Sequence, residues 1–154
     1  MKALPLLFVC VVASCFGQSI DKAFFGTWNL DVAKSKFPGQ APKGGQVFVN
    51  QDGYIAAWQD PAPGTPPAVA VALVRGECYI IGHLGMSCTS DTSNPRRGLL
   101  NIKVGDTPFQ KVESELKGET TMTVKITTLT SPNGPQVTEG VYTKAAPPSA
   151  PAKK

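Results

Sequence analysis

The stretch Thr121-Met122-Thr123-Val124-Lys125-Ile126-Thr127-Thr128 alternates polar and apolar side chains from its first residue to Thr127. Side chains of an extended chain point in turn to its two faces. Met122, Val124 and Ile126 therefore share one face, and Thr121, Thr123, Lys125 and Thr127 the other. A strand of this kind belongs to an antiparallel sheet that packs on one side and meets water on the other. The same period appears elsewhere in the chain. Leu100, Ile102 and Val104 alternate with Asn101 and Lys103, and Gln136 to Lys144 is a further strand rich in Val, Thr and Tyr. Turn residues separate these segments. Asp52-Gly53 divides Gln46–Gln51 from Tyr54–Asp60 and suits the positive φ values of a tight hairpin. Pro132-Asn133-Gly134-Pro135 is a strong turn, and Gly105-Asp106 and Lys117-Gly118 mark further reversals. The prolines of the 61–67 run leave it too few N–H donors for a ladder, so it reads as a loop. A short helical or 3-10 turn is expected only around Asp31 to Lys36. The pattern predicts an all-β domain of about eight to ten strands between Phe25 and Lys144. Such strands either close into a barrel, which removes exposed edges, or pack as two sheets.

The chain has 154 residues, the length of one domain, with a formal net charge of +4 and 42% hydrophobic residues. These values exclude a multi-domain enzyme, a coiled coil, a polytopic membrane protein and a strongly basic nucleic-acid binder. Residues 1–17 read as a secretory signal: Lys2 supplies the positive start, and Ala3 to Val12 is an apolar run too short to span a bilayer. Two processing readings stand side by side. Cleavage after Gly17 would place the small residues Cys15 and Gly17 before the cut. Alternatively, Val12-Ala13-Ser14-Cys15 resembles a bacterial lipobox, which would acylate Cys15 and tie the chain to a membrane through that lipid alone. Both readings put the mature chain outside the cytoplasm, secreted, periplasmic or at the cell envelope. Residues 18–144 then form the folded domain. The 145–154 tail, rich in Pro, Ala and Lys, has nothing to bury and reads as disordered.

Beyond the leader only Cys78 and Cys88 remain, and in an oxidising compartment an even pair is by default a disulfide. A hairpin folded about His83 would set the two opposite each other, at the Cα separation a bridge needs. The C-x9-C spacing matches no usual zinc site, and the chain holds a single His. His83 itself falls at that hairpin tip, too poorly buttressed for a catalytic triad. Glu113 and Glu115 share a strand face like paired acid–base carboxylates, but Lys111 lies on the same face, which makes it a solvated, charge-mixed exterior. Gly44-Gly45 leads into a strand and not a helix, so it is no phosphate loop. Arg96-Arg97 is the only paired cation inside the domain, in what reads as a 90–97 loop. No enzyme, cofactor, metal site or nucleic-acid partner is expected.

Phe25-Gly26-Thr27-Trp28-Asn29-Leu30, Lys34-Ser35-Lys36-Phe37 and Pro42-Lys43 together resemble the opening of a group of small secreted bacterial lipocalin-like proteins. Val141-Tyr142-Thr143-Lys144 resembles the closing strand of the same group. The resemblance covers residues 25–43 and this last strand, and it implies an antiparallel lipocalin-like barrel. It also implies that Lys144 covers Trp28 in a cation–π contact. Gly26 lets the chain bend tightly into the barrel, and Trp28 offers a large plug for one end.

A small barrel either encloses one ligand or is filled by its own side chains. Tyr54, Trp58, Tyr79 and Phe109 are the candidates for a cavity wall, with the small Ala56 leaving room between Tyr54 and Trp58 on one strand face. The expected function is non-catalytic binding of a small apolar or amphipathic molecule by a monomer. The alternative is an envelope-associated structural or interaction protein, with a solid barrel and contacts through the 61–67 and 90–97 loops. A cavity of about 300 Å3 or more would favour the first; a core at native density would favour the second.

Overall fold

The structure is a computed structural model that describes residues 20–61, 63, 66–74 and 77–146. The readings of the leader (1–17, with Lys2 and Cys15) and of residues 147–154 lie outside these residues, as does part of the 61–67 run.

A 3-10 turn at Lys22–Phe24 precedes the first strand, β1 (Gly26–Leu30), and a second turn, Val32–Lys34, follows it. The chain then meanders through β2 (Gly44–Asn50), β3 (Gly53–Gln59), β4 (Ala68–Val74), β5 (Glu77–Ile81) and β6 (Met86–Asn94). It continues through β7 (Arg97–Val104), β8 (Thr107–Leu116), β9 (Thr121–Thr128) and β10 (Gln136–Lys144). Each strand pairs antiparallel with its neighbours in sequence, and β10 pairs with β1, so the ten strands form a closed barrel and not a sandwich. The 3-10 turn expected near Asp31 forms because the Asp31 side chain accepts from the Lys34 N–H.

The alternation read from the sequence sets the inside of the barrel. Met122, Val124 and Ile126 of β9 line the interior, as do Leu100 and Ile102 of β7. Trp28 faces Val47, Val47 faces Ala56, and Ala56 faces Val69, so one rung crosses four strands. The buried side chains form two clusters. One gathers around Trp28 with Phe24, Leu116, Met122 and Tyr142. The other holds Val71, Ile80, Leu100 and Ile102, with Cys78, Cys88 and Phe109 packed against it. Trp28 has no exposed surface, and its indole N–H donates to the Phe24 carbonyl at 2.8 Å. The Lys22–Phe24 turn thus closes the barrel end where β1 begins. Lys144 Nζ stands 5.0 Å from the Trp28 ring centroid. Gly26 adopts φ +126°, and a Cβ there would press on the Lys144 side chain at 3.2 Å.

Cys78 and Cys88 lie opposite each other in the β5–β6 pair and are joined by a disulfide, with Cα atoms 5.3 Å apart. The bond suits a non-reducing compartment. Among the described residues no helix is long and apolar enough to cross a membrane.

The exterior is divided. Across β7 to β10 it is charged: Lys111 pairs with Glu113 at 2.9 Å, and Glu115 with Lys117 at 2.6 Å and Arg97 at 3.2 Å. Lys36 meets Glu139 at 3.1 Å. These exposed pairs add little stability individually. Across β2 to β5 the outward side chains include Phe48, Ile55, Val74, Tyr79 and Ile81, each about half exposed.

Two expectations need correction. Residues 90–97 are not a loop, because β6 runs to Asn94 and β7 starts at Arg97, leaving a two-residue turn. The polar run of β6 hides its strand character from a pattern reading, yet its ladder continues through Ser90–Leu100 and Asp91–Leu99. Tyr79 does not face the interior. Its neighbour Ile80 takes the inward position, and the Tyr79 hydroxyl bonds Glu77 on the outer surface.

Candidate functional site

The barrel interior holds a cavity of about 150 Å3, lined by residues of both core clusters and open towards the rim at Asp21, Asn94 and Arg97. Its walls are mostly aliphatic and aromatic. Val47, Val49, Val71, Leu100, Ile102, Val112, Val124 and Ile126 contribute, with Tyr54, Trp58, Met122 and Tyr142. Ala56 lies between Tyr54 and Trp58 on the same inward face of β3, as its spacing predicted, and lines the space with its methyl group alone.

Two glycines explain why large rings do not fill the centre. Gly45 pairs with Trp58 across β2 and β3, and a Cβ on Gly45 would lie 3.1 Å from the Trp58 ring. Gly140 precedes Tyr142 by two residues, and a Cβ there would lie 2.7 Å from the Tyr142 ring. The bare backbone at these two positions gives each ring room beside the wall.

The polar groups are few. Ser90 of β6, Gln110 and Ser114 of β8 and the two tyrosines line the space. The Gln110 amide donates to the Thr128 hydroxyl at 3.2 Å. Burial pushes the Tyr142 hydroxyl above its usual range, partly offset by the nearby Trp58 indole. Burial raises Tyr54 further, helped by the neighbouring Tyr142. Both phenols are neutral at physiological pH. Among the described residues, the hydroxyl of Tyr54 has no hydrogen-bond partner. The Ser90 Oγ is sealed from solvent and has none either.

Among the described residues, charged side chains reach the lining only at one end of the barrel. Asp21 stands there beside Ile20 and Phe24, with Asn94 and Arg97 at the β6–β7 turn. Asp21 caps the Lys22–Phe24 turn by accepting from the Ala23 N–H at 2.8 Å, and Arg97 is held by Glu115. The chemistry on offer is shape, apolar surface and neutral hydroxyls.

Of the four residues read as cavity wall, Tyr54 and Trp58 line the space. Phe109 packs against the second cluster, where a register shift between Ile102 and Lys103 leaves it without a β7 partner; Gln110 lines the cavity beside it. Tyr79 is outside, as described. His83 lies in the β5–β6 turn, away from the cavity. Glu113 and Glu115 point outward, each in an ion pair. Among the described residues no group of three His, Cys, Asp or Glu side chains could hold a metal ion. The sequence reading missed Ser90. Its place two residues after Cys88, on the same strand face, was the available signal. No protein-family model matches this chain, and no curated protein matches it.

Proposed function

We propose that this protein binds one small, neutral, apolar or amphipathic molecule inside a lipocalin-like barrel and performs no chemistry on it. The observation that carries this reading is the apolar cavity, with its aromatic rings laid against glycine backbone. Its volume of about 150 Å3 is below the ~300 Å3 of sites for drug-sized ligands. It matches the apolar cavities of about 150 Å3 that take up benzene. The ligand is accordingly of one-ring size, smaller than the sequence reading anticipated. Among the described residues no charged side chain lines the middle of the cavity, which supports a neutral occupant, since burying an unpaired charge is costly.

The disulfide and the leader together support a place outside the cytoplasm, secreted or at the envelope. Native mass spectrometry of the protein purified from its own host tests the reading. A co-purifying small molecule is expected, and the same spectrum separates cleavage after Gly17 from a lipid on Cys15. A ligand-free mass, with no shift in melting temperature on adding toluene, indole or phenol, would refute it.

A second reading, an interaction protein, draws support from the outer face of β2 to β5. Phe48, Ile55 and Ile81 stand side by side there in register, joined through Ala70, and each large side chain is about half exposed. Sedimentation velocity decides its self-association form: a monomer across the micromolar range removes it.

A further inference from the structure

We propose that Ser90 is the polar anchor of the cavity, and that the ligand carries a hydroxyl or carbonyl which bonds it. This rests on the binding function proposed above and adds the ligand's chemical class. Ser90 lies midway along β6 and lines the cavity, facing the buried Leu100 across the β6–β7 pair. A serine hydroxyl both donates and accepts, and a buried one without a partner destabilises the fold. Native interiors satisfy such groups with few exceptions. Here the Oγ has no accessible surface and is unbonded, on a residue that lines a cavity large enough for a ring, and a turn about χ1 brings it to an occupant.

The surroundings narrow the class. The Gln110 amide donates to the Thr128 hydroxyl. The Tyr54 hydroxyl, also uncommitted, lines the same space and offers a second contact. Among the described residues no cation lines the middle of the cavity to receive a carboxylate or phosphate. Arg97 is at the barrel end and already paired with Glu115. The geometry thus selects a compact neutral ring or branched hydrocarbon bearing one hydroxyl or carbonyl, and rejects the corresponding acid.

The test is isothermal titration of toluene, phenol and benzoate into the wild-type protein and Ser90→Ala, with tryptophan emission as a second readout. Phenol and toluene are expected to bind and benzoate not to bind. In Ser90→Ala the phenol-to-toluene affinity ratio is expected to fall about five- to tenfold, the worth of one neutral hydrogen bond, with toluene unchanged. Unliganded Ser90→Ala is expected to unfold at the same denaturant concentration or a higher one, because an unpaired buried hydroxyl contributes no stability. A ratio that does not change overturns the anchor while leaving the cavity a binding site. So does a loss of stability in unliganded Ser90→Ala, which would mean that an internal water already satisfies the hydroxyl. If neither toluene nor phenol binds the wild type, the binding function falls, and the anchor with it.

Discussion

Replacing Ala56 by leucine turns the cavity into a stability measurement. Ala56 is 6% exposed, and its methyl group lines a space of about 150 Å3 between Val47 and Val69. A cavity of about that size accepts the six carbons of benzene, so three added carbons occupy roughly half of it. Burying each is worth about 0.8 kcal/mol, or about 2.4 kcal/mol together. Ordering the leucine side chain costs about 0.5–1 kcal/mol. Ala56→Leu is therefore expected to stabilise the unliganded protein by about 1.5 kcal/mol, raising its melting temperature by about 5 °C. Urea denaturation followed by tryptophan emission measures this, with the slope m checked for constancy between variants. The same substitution should weaken toluene binding, since it competes for the same volume. The sign decides the matter. In an interior already at native density, three extra carbons would force rotamers and backbone aside and cost about 1–3 kcal/mol. A destabilised Ala56→Leu would sink the reading of the interior as open space.

Reduction of the Cys78–Cys88 bond, which spans 10 positions of sequence, should cost about 2–3 kcal/mol in the chain-entropy model. Thermal melts with and without a strong reductant, beside a Cys78→Ser/Cys88→Ser double variant, measure it; unchanged melting would mean that the closed hairpin adds nothing. Lys144→Met keeps the aliphatic stem over Trp28 and removes the charge, with an expected loss of about 0.5–1 kcal/mol. Lys144→Arg should restore it, and equal stability of all three proteins would show that the cation contributes nothing. The Tyr54 hydroxyl has its pKa raised above the ordinary 10.0 by burial and by Tyr142. Its contribution is fully present below pH 10, where the phenol is neutral in both states. It is lost as pH rises from there towards the folded value, because only the unfolded chain releases the proton. Stability should therefore fall above about pH 10, less steeply in Tyr54→Phe, and parallel alkaline limbs in urea titrations would contradict this.

The closed barrel follows from features that a sequence displays openly. Asp52-Gly53 and Pro132 to Pro135 fix reversals by backbone geometry, and β9 shows one wet and one dry face. Cys78 and Cys88 meet because two glycines and His83 fold the chain midway between them. Where a strand is apolar on both faces, the period alone cannot say which side goes in. β5 is such a case: Tyr79 and Ile81 look as suitable for a core as Cys78 and Ile80 do. The polar residues Ser87, Thr89 and Asp91 of β6 hold the missing information. They must face water, so Cys88 turns inward, the disulfide carries Cys78 inward with it, and Tyr79 is left outside. Asp21, which caps the turn at the barrel end, shows no periodicity at all, so the closure at Phe24 was not foreseen. The openness of the cavity was also out of reach. It depends on Gly45 lying beside Trp58 across a strand pair and Gly140 beneath the Tyr142 ring, and only the register reveals the first of these.

The pairing of the first strand with the last closes the barrel, with the Ala145 N–H bonded to the Thr27 carbonyl at 2.8 Å. Every other strand pair joins neighbours along the chain, so the molecule is nearly a ring of hairpins with a single break. Where that break falls is incidental to the packing. A covalent bridge joining the residues just before β1 to those just after β10, with a new opening at the Pro132–Gly134 turn, would leave the interior surroundings of Ser90 and Tyr54 as they are. The barrel can therefore be re-threaded to present either rim, or to carry a fused partner there, without disturbing the chamber it encloses.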